Sequence, residues 1–295
     1  GRDDIIFAEM LAPRNLAGWL WWLGSLPKGR EPILALHLGY AAERFGVNPE
    51  IPRLLASLKI SGKLARARFV TDSDMLREKY EAILGQPVSV LPVVISRRAA
   101  ECYKSPGKPP HFASLGNARQ EKGFAEILAA VDILNANGRA PDARFTLQSS
   151  DPDTISAAAL VNFRSAAAES VSLINEPLDD EGYLQLLQDT DVLLLPYHLE
   201  KYHDRTSGVF CEARTSGKPV ITTEGSYLGR EVLEEGIGWL ARDRDADSVA
   251  QAIRRATSEL EQVAARCAEI MPRYQPMFHP DTFVSRLLSL ANEKS

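Results

Sequence analysis

The sequence predicts an α/β protein built of two tandem doubly wound domains that face one cleft. Three observations predict it. From His111 onward, short β-branched or leucine-rich runs alternate with helical-period segments in a regular beat. The first and last of those helical segments close on glycine, the usual residue at a helix carboxyl end. Residues 97–110, RRAAECYKSPGKPP, carry three prolines, a glycine and mostly positive charge without periodicity, and so read as a linker that divides the chain.

In the front part, strands are expected at 4–7 (DIIF), 33–39 (ILALHLG), 68–73 (RFVTDS) and 88–95 (VSVLPVVI). The rear part offers six, at 111–115 (HFASL), 144–149 (RFTLQS), 171–175 (VSLIN), 191–197 (DVLLLPY), 219–223 (PVITT) and 237–241 (IGWLA). Helical stretches fall between them at 122–138, 153–167, 179–190 and 207–217. Six strands with helical crossovers make a parallel sheet covered on both faces, a Rossmann-like nucleotide-binding domain. Ligands of such sheets sit at the carboxyl ends of the strands, which places the expected site at the cleft between the halves. After the helical segment that begins near Asp245, Met271-Pro272 and Gln275-Pro276 predict a break. The segment FHPDTFVSRLLSLANE then predicts a last helix that crosses back to the front domain. The expected domains are 1–98 and 99–275, with the returning helix over 276–295. With four strands against six, the front domain reads as incomplete and the chain as beginning late.

Composition narrows the function. At 295 residues, 45% hydrophobic and 25% charged, the chain has an ordinary globular make-up and is long enough for two domains. A net charge of -5 gives no basic field to hold a phosphodiester backbone, so nucleic acid is not an expected partner. Cys102, Cys211 and Cys267 lack the even count and CxxC spacing of a disulfide framework or structural zinc, and point to a reducing, cytoplasmic compartment. The longest apolar run, Leu16 to Leu26, falls short of the roughly 18–20 residues that cross a bilayer. Its Trp19, Trp21 and Trp22, with Lys59, Lys63, Arg66 and Arg68 further on, raise a second expectation beside an ordinary buried helix. That expectation is a weak peripheral contact of the front domain with the inner face of a membrane. No GxSxG, Walker or GxGxxG motif supports hydrolase, kinase or dehydrogenase chemistry. Asp72-Ser73-Asp74 and Asp243-Arg244-Asp245 each follow an expected strand and precede a helix, where Ser and Asp serve as caps. Neither is read as a metal site, and no metal or cofactor is expected.

The chemistry concentrates in DRTSGVFCEARTSGKPVITT, residues 204–223. PYHLEKYHDRT follows a strand's carboxyl end, so it is a loop at the mouth of the cleft, and Ser207-Gly208 open a helix. A helix start presents unpaired N–H groups and the positive end of the dipole, and glycine lets a ligand approach the backbone, which together make a seat for phosphate. Glu212 lies four residues beyond Gly208 on the same helix face, where a carboxylate can accept the paired hydroxyls of a ribose. Asp204 lies on the other side of the seat, placed to accept hydroxyls of whatever the phosphate carries. Hydroxyl reader, phosphate seat, hydroxyl reader is the order of a sugar nucleotide. Taken singly, Asp204 or Thr206 would equally serve as a helix cap and Glu212 as a solvated acid. The stretch SLGNARQEKGF shifts that balance, because Arg119 and Lys122 flank a helix start, where cations are misplaced unless an anion visits.

LGNARQEKGF, LLLPY, DRTSGVFCEARTSGKPVITTEGS and EVLEEGIGWLARDRDADSVAQAI resemble, in order and spacing, the donor domain of GT-B glycosyltransferases. The likeness is to retaining glycosyltransferase family 4 (group 1) above all, and runs from about Val88 to Arg255. The family's pair of glutamates, seven residues between them, falls on Asp204 and Glu212, with aspartate replacing the first. By that resemblance Glu212 binds the ribose hydroxyls and Asp204 the transferred sugar, while Thr206, Ser207, Gly208 and Val209 line the region of diphosphate and sugar. The family's Arg and Lys diphosphate pair falls on Asn117 and Lys122. Asn117 is a departure, for which Arg119 stands in. ILALHLG resembles the family's strand ending in an active-site histidine, so His37 is carried over as catalytic beside Asp204.

The resemblance implies a metal-independent, retaining hexosyl transfer in which a nucleoside diphosphate sugar is the co-substrate and the leaving phosphate takes the acceptor's proton. A glycan or lipid-linked acceptor, and a place in glycan or polysaccharide biosynthesis, follow from the same likeness. Two alternatives stay open: a sugar-nucleotide epimerase of the same fold, and a catalytically silent sugar-nucleotide-binding module. Asp204, Asn117 and the thin front domain favour the second.

Overall fold

The computed structural model describes residues 4–42, 48–136, 142–149 and 171–292. The chain divides into two compact units, 1–93 with 280–295, and 94–279.

The first unit runs β1 (Ile5–Ala8), α1 (Pro13–Ser25), β2 (Ile33–His37), α2 (Glu50–Ile60), β3 (Ala67–Thr71), α3 (Asp74–Leu84) and β4 (Val88–Val90). Its strands pair in parallel in the order β1-β2-β3-β4. Successive residues alternate between the two faces, as the pleat requires. Ile6, Ala8 and Phe69 pack with Leu16, Leu20 and Leu23 of α1 and Leu55 and Leu58 of α2. Phe7 and Val70 point the other way, onto Phe283, Leu287 and Leu290 of the C-terminal helix Pro280–Asn292. Arg68 Nε donates to the Leu290 carbonyl (2.9 Å), a cation at the end of that helix where the last carbonyls lack partners. Ser73 caps α3 by accepting from the Leu76 N–H (3.2 Å), so the triplet Asp72-Ser73-Asp74 is a helix start. β4 is shorter than expected. Leu91 N–H still reaches the Thr71 carbonyl (2.8 Å), but Pro92 has no N–H with which to continue the ladder.

The second unit holds β5 (His111–Ser114), α4 (Phe124–Ala136), β6 (Arg144–Gln148), β7 (Val171–Ile174), α5 (Asp180–Asp189) and β8 (Val192–Leu195). It continues through α6 (Leu199–Tyr202), α7 (Gly208–Thr215), β9 (Val220–Thr223), α8 (Tyr227–Glu235), β10 (Gly238–Ala241) and α9 (Ala246–Met277). Six parallel strands lie in the order β7-β6-β5-β8-β9-β10. The strand that comes first in sequence is thus central, and the chain builds outward from it in one direction and then, from β8, in the other. That is the doubly wound order. Phe112, Phe145, Leu147, Leu194, Ile221 and Trp239 form one face of the sheet with α4 and α9 packed on it. The helix expected at 153–167 and the end of the segment at 122–138 lie outside the described residues.

Two expectations need correction. The first is the break in α9, which runs without interruption through Pro272 and Pro276. Each proline removes one N–H from the ladder, yet the last turns are gripped from the side. The Tyr274 ring lies 3.8 Å from the Arg214 guanidinium and stacks on Phe278, and its hydroxyl joins Arg214, Arg273 and Glu235 in one network. The chain breaks at His279-Pro280 instead, where the two units meet in sequence. The second is the linker at 97–110, which is folded over its first part. Residues 97–102 make a 3-10 turn started by Ser96, with Ala99 and Cys102 buried and Arg98 forked onto Glu181 of α5. Six residues are too few to show a period in sequence.

Candidate functional site

β5 and β8 are neighbours at the centre of the second sheet, and the chain leaves them in opposite directions. The loops after their carboxyl ends therefore part and leave a crevice, the place where ligands of doubly wound sheets sit. Residues 115–123 follow β5 and end in a 3-10 turn, Gln120–Lys122; residues 196–207 follow β8 and lead through α6 to α7. The two loops are pinned together. His198 N–H donates to the Glu121 carbonyl (2.9 Å), and His198 Nε2 bonds Glu126 Oε1 of α4 (3.0 Å). Gly123, at φ +69°, lies so close to the Pro196 carbonyl that no side chain fits between them.

Tyr197 is the common neighbour of the candidate side chains. Its ring stands 5.9 Å from Lys122 Nζ and 4.5 Å from the Tyr202 ring, and among the described residues its hydroxyl is buried without a hydrogen-bond partner. Burial pushes that phenol above the usual tyrosine range. Lys122 is held down to about 8, first by burial and then by the Arg119 charge, against the pull of Glu121 and Glu212. A cation in this state takes up charge readily when an anion arrives. Arg119 is half-exposed, ion-paired with Glu121 (3.2 Å) and 3.4 Å from the Tyr202 hydroxyl. Asn117 sits on the same loop, and among the described residues its Oδ1 is buried without a hydrogen-bond partner.

α7 begins at Gly208. Ser207 is its N-cap, and the Ser207 side chain makes no cap hydrogen bond. Ser207 accepts from the Cys211 N–H (3.0 Å), which leaves the amides of Gly208, Val209 and Phe210 without intrahelical acceptors. A Cβ added at Gly208 would meet nothing within 4 Å, so the space before the helix is open. Val209 is half-buried beside it. Thr206 is turned inward, its hydroxyl 3.8 Å from Cys211 Sγ. Glu212 is one turn deeper in α7. Its carboxyl is raised by burial and held back by the Tyr183 hydroxyl and by Lys122.

Asp204 is only 4% exposed, and its Oδ1 accepts from His203 Nδ1 (2.5 Å), leaving the more exposed imidazole as the outer member of the pair. His37 belongs to the first unit, at the carboxyl end of β2. Its Nδ1 accepts from the Met10 N–H (3.3 Å), Nε2 stands 4.0 Å from Asp72, and Phe7 stacks on the ring at 5.9 Å. Burial lowers its pKa to about 4. The fold thus brings Asn117, Arg119, Lys122, Asp204, Thr206, Ser207, Gly208, Val209 and Glu212 to the loops and helix start of one crevice. Tyr183, Tyr197, Tyr202, His198 and His203 join them without having been singled out in sequence. Buried tyrosines need a partner for their hydroxyl, but the sequence does not say which. Among the described residues no three His, Cys, Asp or Glu side chains gather as a metal site, and no helix is long and apolar enough to cross a membrane.

Residues 109–259 match the family model described as Glycosyl transferases group 1, a span of more than half the chain that contains the whole crevice. The chain belongs to that family. The two parallel sheets place this group 1 glycosyltransferase in the GT-B fold class. A sucrose-phosphate synthase from Thermosynechococcus elongatus is similar in structure, with a TM-score of 0.66 at 18% identity over 97% of this chain and 72% of that one. A glycosyltransferase from Rickettsia africae ESF-5 gives 0.70 at 11% identity, over 98% of this chain and 76% of that one. An alpha,alpha-trehalose-phosphate synthase (UDP-forming) from Burkholderia xenovorans, in complex with glucose-6-phosphate, gives 0.70 at 12%, over 99% and 74%. At such identities the likeness concerns the fold. No curated protein matches the sequence.

Proposed function

We propose that this group 1 glycosyltransferase moves a hexosyl group from a nucleoside diphosphate sugar to a glycan or lipid-linked acceptor with retention of configuration and without a metal. The observation that carries this reading is the open, uncapped start of α7 beside Lys122, with the Glu212 carboxylate one turn deeper. The diphosphate accepts from the amides of Gly208 and Val209 and from Lys122 and Arg119; the ribose diol donates to Glu212. The transferred sugar lies toward Asp204 and His203. These residues position the donor and stabilise the charge that grows on the departing diphosphate, whose oxygen takes the acceptor's proton. His37 is the catalytic contribution assigned to the first unit. The reaction belongs to glycan or polysaccharide assembly in the cytoplasm. Trp21 and Ile60, exposed on α1 and α2 among cationic neighbours, support a weak contact with anionic lipid.

A panel of nucleoside diphosphates and sugar nucleotides in a thermal-shift assay tests the site, since a tight ligand raises apparent stability by mass action. UDP heads the panel because similar structures are UDP-forming. A stabilising ligand whose effect disappears in Glu212→Ala supports the reading; stabilisation that survives the substitution contradicts the ribose assignment. A second reading, a sugar-nucleotide-binding module without transfer, is favoured by the burial of Asp204 behind His203. Release of nucleoside diphosphate that depends on an added acceptor extract decides for transfer.

A further inference from the structure

Glu212 has two carboxylate oxygens, and the fold occupies one of them. The Tyr183 hydroxyl donates to Oε2 at 2.5 Å. Tyr183 comes from α5, which belongs to neither loop of the crevice and whose Leu184 and Leu187 are buried. A phenol in such a place is satisfied by any nearby carbonyl, and a buried carboxylate gains more stability from a cation than from a neutral donor. The pairing is therefore poorly explained as a stabilising contact. Its geometric consequence is clear: a long, flexible glutamate side chain is tied at one oxygen to a helix outside the ligand loops, and the other oxygen is left to accept.

We propose that Tyr183 is a positioning residue for the ligand, fixing the Glu212 carboxylate through Oε2 so that Oε1 accepts a hydroxyl of the ribose diol. The inference rests on the proposed role of Glu212 and deepens it. The charged and titratable groups around the pair are few. Lys122 approaches from the turn before α4, Tyr197 from the loop after β8 and Cys102 from the 3-10 turn at 97–102. Lys122 and the Tyr183 hydroxyl both favour the ionised carboxylate, while burial opposes it. Removing the hydroxyl therefore has two effects: the carboxylate turns more freely, and it takes up a proton at higher pH.

The test is calorimetric titration of the wild type, Tyr183→Phe and Glu212→Gln with UDP, GDP and ADP and with their 2′,3′-dideoxy forms, from about pH 5 to 8, a range that spans a raised carboxyl. Tyr183→Phe should bind the ribonucleotide about five- to tenfold more weakly at neutral pH, less than a full charged hydrogen bond because the bond exists before and after binding. The acid limb of its affinity should move to higher pH, and its affinity for the dideoxy form should stay as in the wild type. A merely structural role would weaken both nucleotides alike and leave the acid limb in place; either result overturns the proposal. If Glu212→Gln removes the preference for the ribonucleotide while Tyr183→Phe changes nothing, Tyr183 alone is wrong. If the wild type binds none of the nucleotides, or Glu212→Gln leaves the preference intact, the role of Glu212 falls first and this inference with it.

Discussion

Gly123 offers the most demanding test of how the crevice is built. It has φ +69°, and a Cβ added there would lie 2.1 Å from the Pro196 carbonyl oxygen and 3.0 Å from its carbon and Cγ. Alanine in the left-handed region costs about 1–2 kcal/mol by itself. The contact adds more, because 2.1 Å is 1.3 Å short of an ordinary 3.4 Å approach and the obstacle is backbone at a strand end. Relief requires the turn at 120–122 to withdraw from the loop after β8. That withdrawal loses the bond from His198 N–H to the Glu121 carbonyl, worth about 1 kcal/mol net. The sum is about 2–4 kcal/mol, which for a unit of this size lowers Tm by about 5–15 °C. Gly123→Ala should therefore melt well below the wild type in a calorimetric scan, and should lose nucleoside diphosphate affinity because Lys122 precedes the displaced residue. A variant that melts within about 2 °C of the wild type and binds unchanged would refute the packing of the two loops described here.

Gly208→Ala is the converse case: its methyl enters open space, so Tm should hold while diphosphate affinity falls by at least about threefold if the ligand lies on the α7 amides. Lys122, at about 8 against an ordinary 10.5, is protonated more in the unfolded chain between those values, so stability should rise with pH across that window. Lys218, also held to about 8 by burial, contributes in the same direction. Phosphate affinity should instead fall as pH passes about 8, and Lys122→Met should abolish that second slope while leaving the stability slope to Lys218 alone. His37, lowered to about 4, should stabilise the first unit above pH 6.5 and lose that contribution as pH falls toward 4. Its ring should stay neutral at pH 6, with the proton on Nε2, in a nitrogen-detected histidine NMR spectrum; a protonated ring would contradict the burial described for β2.

Much of the fold was legible because strands buried on both faces announce themselves as apolar runs, and the ten expected runs became the ten strands among the described residues. The errors share a cause. The turn at 97–102 is too short to show a period, and α9 survives Pro272 and Pro276 because Tyr274 is held by Arg214, a residue 60 positions away. The site divides in the same manner. Glycine, serine and glutamate at a helix start are local signals, and Lys122 is conspicuous as a cation in a place that repels cations. Tyr183 meets Glu212 across 29 residues and His198 meets Glu126 across 72, contacts that no local pattern encodes. Asp204 was legible as an acid near the seat, but its burial behind His203 depends on how the loop turns before α7.

Asn117 and Arg119 show how a departure from the family pattern is absorbed. Arg119 lies two residues after Asn117 on the loop that follows β5, and its guanidinium stands 3.4 Å from the Tyr202 hydroxyl. A cation at position 119 thus reaches the loop that follows β8. It does not arrive unencumbered, since Glu121 is already paired with it at 3.2 Å. Arg119 and Lys122 bring two positive charges, and Glu121 and Glu212 two carboxyl groups that stand against them before a ligand enters. On the proposed function a diphosphate draws Arg119 from Glu121, an exchange between charge-assisted partners that contributes little net affinity where the pair is half-exposed. The half-buried Lys122, whose charge is strengthened by the same anion, carries the larger share on that reading. In the proposed site Lys122, beside the α7 amides, is therefore the electrostatic centre, and Arg119 is the adjustable part.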